Sequence, residues 1–349
     1  MADPSPEQHR GSHAYNVAVL VLGAGLLTWM LHQLGWHQLH AVAADVGRTF
    51  VLVLALDLVA ILCDARGLHT FMRPEARMVS YGRVVAAHLS GRAVNVVTPF
   101  AALGEATKAT MLVTRAPRVR VASAIVLFNL AGLYLSVTMI AIGTPITLLV
   151  SDLPHALEVT ALVGLAVVLA LVIALGVMIR RGATATLLAA LQRARVISPA
   201  RRADWQARLA ELDRQLAGVH ELRRTGAWRG ALWILGARLV TWTATMTLIH
   251  AVGVPITPRL VLGVLSIGVL IGWISSIVPF GLGLADGGNY ALFDLLGASG
   301  AHGAFVTMMN RVRSLAVALV GFAVMAVVHT MNRMALARQR GRIARGRGD

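Results

Sequence analysis

One cysteine and one lysine are all that 349 residues contain of either type, and bases outnumber acids 32 to 16. The lone Cys63 excludes an intrachain disulfide and gives no sign of redox chemistry. Aromatics make up 5% of the chain and charged residues 14%. A formal net charge of +16 would suggest nucleic acid in a soluble protein, but basic stripes with stacking aromatics are absent, so nucleic acid is excluded as a partner. What is abundant is apolar: 57% of residues are hydrophobic and the mean hydropathy is +0.70. That composition describes a polytopic membrane protein. The longest polar interval, 180–230, suits one or two helices rather than a soluble core.

Two stretches echo each other. Residues 88–113 read HLSGRAVNVVTPFAALGEATKATMLV, and residues 271–297 read IGWISSIVPFGLGLADGGNYALFDLLG. Aligned on Pro99 and Pro279, each runs from apolar residues through Pro-Phe and a small-residue stretch to an acid, Glu105 or Asp286. Proline lacks the N–H and clashes with the preceding helical turn, so each stretch reads as two short helices meeting at a break.

A spanning helix needs about 20 predominantly apolar residues. Candidate spans lie at roughly 15–34, 48–64, 120–143, 157–179, 229–251 and 303–330. An Ala-Val-Ala resembling a signal-peptidase site, at 41–43, lies beyond the first run, so that run is expected to be an uncleaved helix. Arginines crowd the segments after the second span, before the third, across 180–229 and in the tail, while 33–47, 144–156 and 252–258 carry neither Lys nor Arg. The positive-inside rule then predicts an inner-membrane protein with both termini cytoplasmic. It also predicts that the echoing stretches enter from opposite faces, the mark of an inverted-topology repeat.

The expected fold is therefore all-α, a single integral membrane domain over 1–349 with two Pro/Gly-broken, re-entrant helical hairpins. Repeat 1 covers about 48–143 and repeat 2 about 229–330, joined by a cytoplasmic linker at about 180–228 and followed by a basic tail, 331–349. In the linker, Trp205, Leu209, Leu212, Leu216, Val219 and Leu222 recur at helical spacing, which predicts an amphipathic helix. The segments flanking Pro99 are too short to cross the membrane. The segment 259–278 is long enough, so the second hairpin is either re-entrant or two full spans.

Charges inside apolar segments must face protein or a water-filled cavity. Glu105 and Lys108, three apart on one helical face, read either as an internal ion pair or as part of a site. Asp286 lies in a Gly-rich turn with Gly283 and Gly287, whose backbone N–H groups suit an anion. No Gly-Lys-Ser/Thr follows, which excludes a phosphate-binding P-loop. Arg311 and Arg313 open the last span but, two residues apart, cannot share a face. Arg92 and Arg238 are further intramembrane arginines, with Asp57 as a partner for one of them. No nucleophile triad and no metal-ligand set is evident, so no cofactor is expected. Two acids, one per repeat, suit acid–base work or the binding of a cationic or proton-coupled group.

These motifs resemble those of the flippase-like family that includes the transmembrane region of lysylphosphatidylglycerol synthase and hopanoid-biosynthesis-associated membrane proteins. Asn95, Pro99, Gly104 and Glu105 match its first motif, with Leu103 replacing a glycine. Pro279, Gly281, Leu282, Gly283, Leu284, Asp286, Gly287 and Gly288 match its second, with Asp for the usual Glu. Arg311, Val312 and Arg313 match the third, and Ser314 stands where an acid is common. The resemblance covers about 48–330. It implies a flippase or transporter of a membrane phospholipid or other polar lipid, with Asn95, Pro99, Gly104, Glu105, Pro279, Gly283, Asp286, Gly287, Arg311 and Arg313 at the transport site, which Lys108 joins by its own spacing from Glu105. A membrane-embedded lipid-modifying transferase is the alternative, as is an accessory protein to lipid-synthesis enzymes. Aminoacylation is not expected, since no domain of synthetase size follows residue 330.

Overall fold

A computed structural model describes residues 36–98, 102–150, 155–180, 227–275 and 283–345. The candidate span at 15–34, both prolines of the echoing stretches and most of the linker lie outside these. The described residues are almost all helical, with no strand among them. They form α1 (Trp36–Phe71), α2 (Tyr81–Val97), α3 (Ala102–Val113), α4 (Arg118–Val150), α5 (His155–Arg180) and α6 (Ala227–Ala251). A broken rod follows, α7 (Pro258–Gly263), a π turn (Val264–Gly268) and α8 (Val269–Ser275), and then α9 (Leu284–Leu295) and α10 (Gly300–Arg345). Among the described residues, four helical stretches are long and apolar enough to cross a membrane: Arg118–Val150, Trp228–Ala251, Pro258–Ser275 and Gly300–Met331. The chain is thus a multi-pass membrane helix bundle.

The apolar part of α1 differs from those four in holding two acids, Asp57 and Asp64. Its outward face presents Val51, Leu52, Leu58 and Val59, all exposed and suited to lipid tails. Its inward face carries Val53, Asp57, Ala60, Ile61, Asp64, Ala65 and Leu68, all buried. The acids are seven residues apart, two helical turns, so both lie on that inner stripe.

Helix α1 runs antiparallel against α6. Its C-terminal turns meet the start of α6, where Cβ atoms built on Gly67 and Gly230 would touch Ile234 and Phe71. Near its N-terminal half, Val53 packs with Ala244, Leu248 and Ile249 at the other end of α6. Two apolar cores sit at opposite ends of this pair. One is built by α1, α2, α3 and the start of α4, with Ile234 added from α6. The other is built by α6, α7, α9 and the start of α10, with Val53 added from α1. The packing across the halves is reciprocal as well, with α2 lying on α10 while the rod from α7 to α8 lies on α4.

The two hairpins have matching limbs. Helix α2 has 17 residues and α3 has 12, while the rod Pro258–Ser275 has 18 and α9 has 12. At 1.5 Å per residue a 12-residue limb extends about 18 Å, short of a hydrocarbon core about 30 Å thick. Glu105 and Asp286 fall in the first turn of α3 and α9.

Close backbone approach holds the first hairpin together. A Cβ on Gly104 would lie 2.0 Å from Asn95 Oδ1 and 2.2 Å from the Gly91 carbonyl oxygen. Overpacking a tight contact costs about 1–3 kcal/mol. Gly104→Ala should therefore lower thermal stability in detergent by that amount. Gly287→Ala, whose Cβ meets no described atom within 4 Å, should leave it unchanged or raise it slightly through helix propensity.

Candidate functional site

Three sets of charged residues stand out, anchored on different helices. On the first hairpin, the Gly104 N–H donates to Asn95 Oδ1 at 2.9 Å, which ties the start of α3 to α2. Asn95 Nδ2 donates to Glu105 Oε1 at 3.4 Å, and Lys108 Nζ donates to the same oxygen at 2.8 Å. Lys108 is 3% exposed, its stem running past Gly91 and its ammonium standing 5.4 Å from the Phe128 ring centroid. Glu105 Oε2 is buried without a hydrogen-bond partner. The lysine is thus sealed by protein, while Glu105 retains an oxygen for a further contact.

On the second hairpin, Gly283 opens α9 at φ +80°, in the left-handed region that favours glycine. Its N–H donates to Asp286 Oδ2 at 3.0 Å, and Arg311 of α10 donates to that oxygen at 2.7 Å. Nearby, Asn289 Nδ2 donates to Thr307 Oγ1 at 2.8 Å, and Gly303 lets α10 approach the Asn289 carbonyl. Gly288, rather than Gly287, makes the tight contact with the preceding limb, at Ile271.

The third set joins α1 to α10. Asp57 on α1 accepts two hydrogen bonds from Arg313, whose Nε and NH2 engage separate carboxylate oxygens in a bidentate pair. A 310 Å³ cavity adjoins it, lined by Asp57, Arg92, Val96, Thr241, Thr245, Asn310, Arg313, Ser314 and Val317. Arg92 sits in the field of Asp64, Asp57, Arg238 and Arg313. The cavity wall thus offers two guanidiniums against one carboxylate. The hydroxyls of Thr241 and Thr245 donate to the carbonyls of Ala237 and Thr241, which leaves their oxygens as acceptors toward the cavity.

The structure therefore divides the residues singled out from sequence. Asn95, Gly104, Glu105 and Lys108 come together on the first hairpin, and Gly283, Asp286 and Arg311 come together at the second hairpin and α10, as two separate sets. Arg313 joins neither and belongs to the cavity. Pro99 and Pro279 lie outside the described residues. Asp57 pairs with Arg313 rather than with Arg92 or Arg238, and Arg311 and Arg313 do face different ways. The cavity residues Thr241, Thr245 and Asn310 and the buried Asp64 were not among the sequence candidates. The legible signal for Asp64 was its seven-residue spacing from Asp57 on an otherwise apolar helix. Among the described residues no cluster of His, Cys, Asp and Glu could hold a metal ion.

The chain belongs to the family described as lysylphosphatidylglycerol synthase TM region, which matches residues 16–321. No curated protein and no solved structure matches it.

Removing one member of a buried ion pair leaves an uncompensated charge, a loss of about 3–5 kcal/mol, whereas apolar replacement of both is near neutral. Asp57→Leu should accordingly destabilise the protein strongly. Adding Arg313→Met should recover most of that loss in thermal unfolding. Additive losses in the double variant would show that the two side chains are not coupled.

Proposed function

We propose that this member of the lysylphosphatidylglycerol synthase TM family is an inner-membrane lipid flippase or transporter that handles a polar or anionic head group. The observation that carries the reading is the cavity between α1, α2, α6 and α10. It lies along the apolar parts of those helices, yet it is lined by Asp57, Arg92, Arg313, Asn310 and hydroxyls. Polar groups at such depth are costly unless they serve a ligand or a water-filled path. Guanidiniums suit a phosphate because their N–H groups match two of its oxygens. The threonine oxygens opposite suit a donor such as an amine or hydroxyl. A phospholipid head group carries both. Ser314 strengthens the bias toward an anion, since the family motif often places an acid there.

The two hairpins form an inverted repeat in this reading. The antiparallel α1–α6 pair, the two cores at its opposite ends and the matched limbs support it. With α3 and α9 both too short to cross, both hairpins are re-entrant, and they bring Glu105 and Asp286 in from opposite faces. Both termini are cytoplasmic by the arginine distribution. Transport then consists of one half rocking against the other, so that the cavity opens alternately to each leaflet.

In proteoliposomes, movement of a fluorescent anionic phospholipid should fall at least tenfold in Arg92→Gln, about 1.4 kcal/mol of lost interaction, with the fold preserved. Unchanged movement across a panel of lipids would retire the transporter. Mass spectrometry of lipids from a deletion strain separates the alternative, because a missing or new lipid species indicates a transferase and an altered leaflet distribution indicates transport. For the topology, cysteines at Thr114 and Ala298 in a Cys63→Ser background should label from opposite sides. Labelling from one side removes the inverted repeat.

A further inference from the structure

One buried ionisable pair has no part in that scheme. His88 on α2 is 2% exposed, and neither of its ring nitrogens has a hydrogen-bond partner. Its Nε2 stands 3.7 Å from Asp64 Oδ2, just beyond hydrogen-bond reach, and Asp64 Oδ1 is also buried and unpartnered. Phe128 of α4 covers the imidazole edge-on, with ring centroids 5.3 Å apart. Buried polar groups are nearly always hydrogen-bonded, so a histidine kept for packing alone would donate to a neighbouring oxygen. Here an imidazole and a carboxylate face each other without engaging. A second proton on the ring would make the pair ionic and draw imidazolium and carboxylate into a charge-assisted hydrogen bond.

The groups around His88 explain what controls that proton. Asp64 faces it from α1, Lys108 from α3, and Arg92 follows one turn later on α2. Arg238 of α6 acts on Asp64, and Arg313 of α10 acts on Arg92. Burial opposes a positive charge on the imidazole most, and the cations Lys108 and Arg92 add to that, against the one acid facing it, Asp64. Arg92 belongs to two places at once, since it lines the cavity and sits within the field of Asp64. An anion held at Arg92 offsets the surplus and favours protonation next door.

We propose that His88 and Asp64 form a proton-binding pair that fills when an anionic lipid head group occupies the cavity beside Arg92, so that proton and lipid move together. This rests on the transport reading. The lone-pair nitrogen of the imidazole accepts a proton from water, giving an imidazolium hydrogen-bonded to the Asp64 carboxylate. When the head group leaves, the proton returns to water. No bond of the lipid is made or broken. By linkage the effect is mutual, and a proton on His88 tightens binding of the anion by the same factor.

The test is a pH titration, by NMR, of the full chain with nitrogen-15 histidines in nanodiscs of phosphatidylglycerol or of phosphatidylcholine. The His88 signal is the one absent from His88→Gln or, if that variant does not fold, the one displaced in Asp64→Asn. Relative to the other histidines, His88 should titrate about one pH unit higher in phosphatidylglycerol. Asp64→Asn should move it about one unit or more lower, and Arg92→Gln should abolish the difference between lipids. A His88 that does not titrate between about pH 4 and 9, or that titrates alike in both lipids, overturns the proposal. Reporter-lipid movement, measured in parallel, separates the two readings. Movement with an unresponsive His88 retires the proton site and keeps the transporter. A lipid-responsive His88 without movement keeps the lipid-linked proton site but retires the transporter and with it the joint movement of proton and lipid.

Discussion

The ion pair between Asp57 and Arg313 sets the arrangement of the bundle. Each charge alone would cost about 2.5–3.5 kcal/mol inside a membrane, so neither residue is tolerable without the other. Their bidentate contact joins α1 to α10 across 256 positions of sequence. It also fixes the rotation of α10 about its axis. With Arg313 turned toward α1, Arg311 must turn away, and it meets Asp286 on α9. One helix thereby orients the second hairpin and closes one wall of the polar cavity.

Glycine does for the backbone what that pair does for charge. Gly91 and Gly104 let α2 and α3 approach until no Cβ fits between them, and Lys108 lies in the space so formed. Gly303 and Gly288 do the same for α9 against α10 and α8. The hairpins are alike in size but differ in electrostatics. Glu105 is neutralised within its own helix, by a lysine that is almost fully buried. Asp286 is neutralised from the next helix, by an arginine that is partly exposed. A shift of α9 against α10 would break the second pair, whereas the first would survive any rigid movement of α3.

The local features were legible because their causes are local. The acid just past each proline, the three-residue spacing of Glu105 and Lys108, and the incompatibility of Arg311 with Arg313 all follow from helix geometry. The long apolar helices were legible for the same reason, with α4, α5, α6 and α10 containing the segments expected to span. The partner of Asp57 was not legible. Arginines 92, 238 and 313 are equivalent by residue type, and only tertiary packing chooses among them. Nor was the cavity, because its wall draws on four helices and its threonines look like ordinary helix residues whose hydroxyls bond back one turn. His88 was similarly silent, since an isolated polar residue on an apolar helix has no pattern until the facing helix is known.

The cavity and the His88–Asp64 pair share a border, and Arg92 is that border. Two acids two turns apart on α1 each face a different basic partner, Asp57 at the cavity and Asp64 behind it. Arg92 lies in the field of both. A charge added on one side is therefore felt on the other through a single guanidinium, with no need for a long chain of contacts. In a medium that screens poorly, such an arrangement is sensitive to one unit of charge. In the proposed coupling, the guanidinium that would receive an anion in the cavity also adds to the burial that disfavours a positive charge on His88. In that scheme occupancy and protonation are coupled through Arg92 alone.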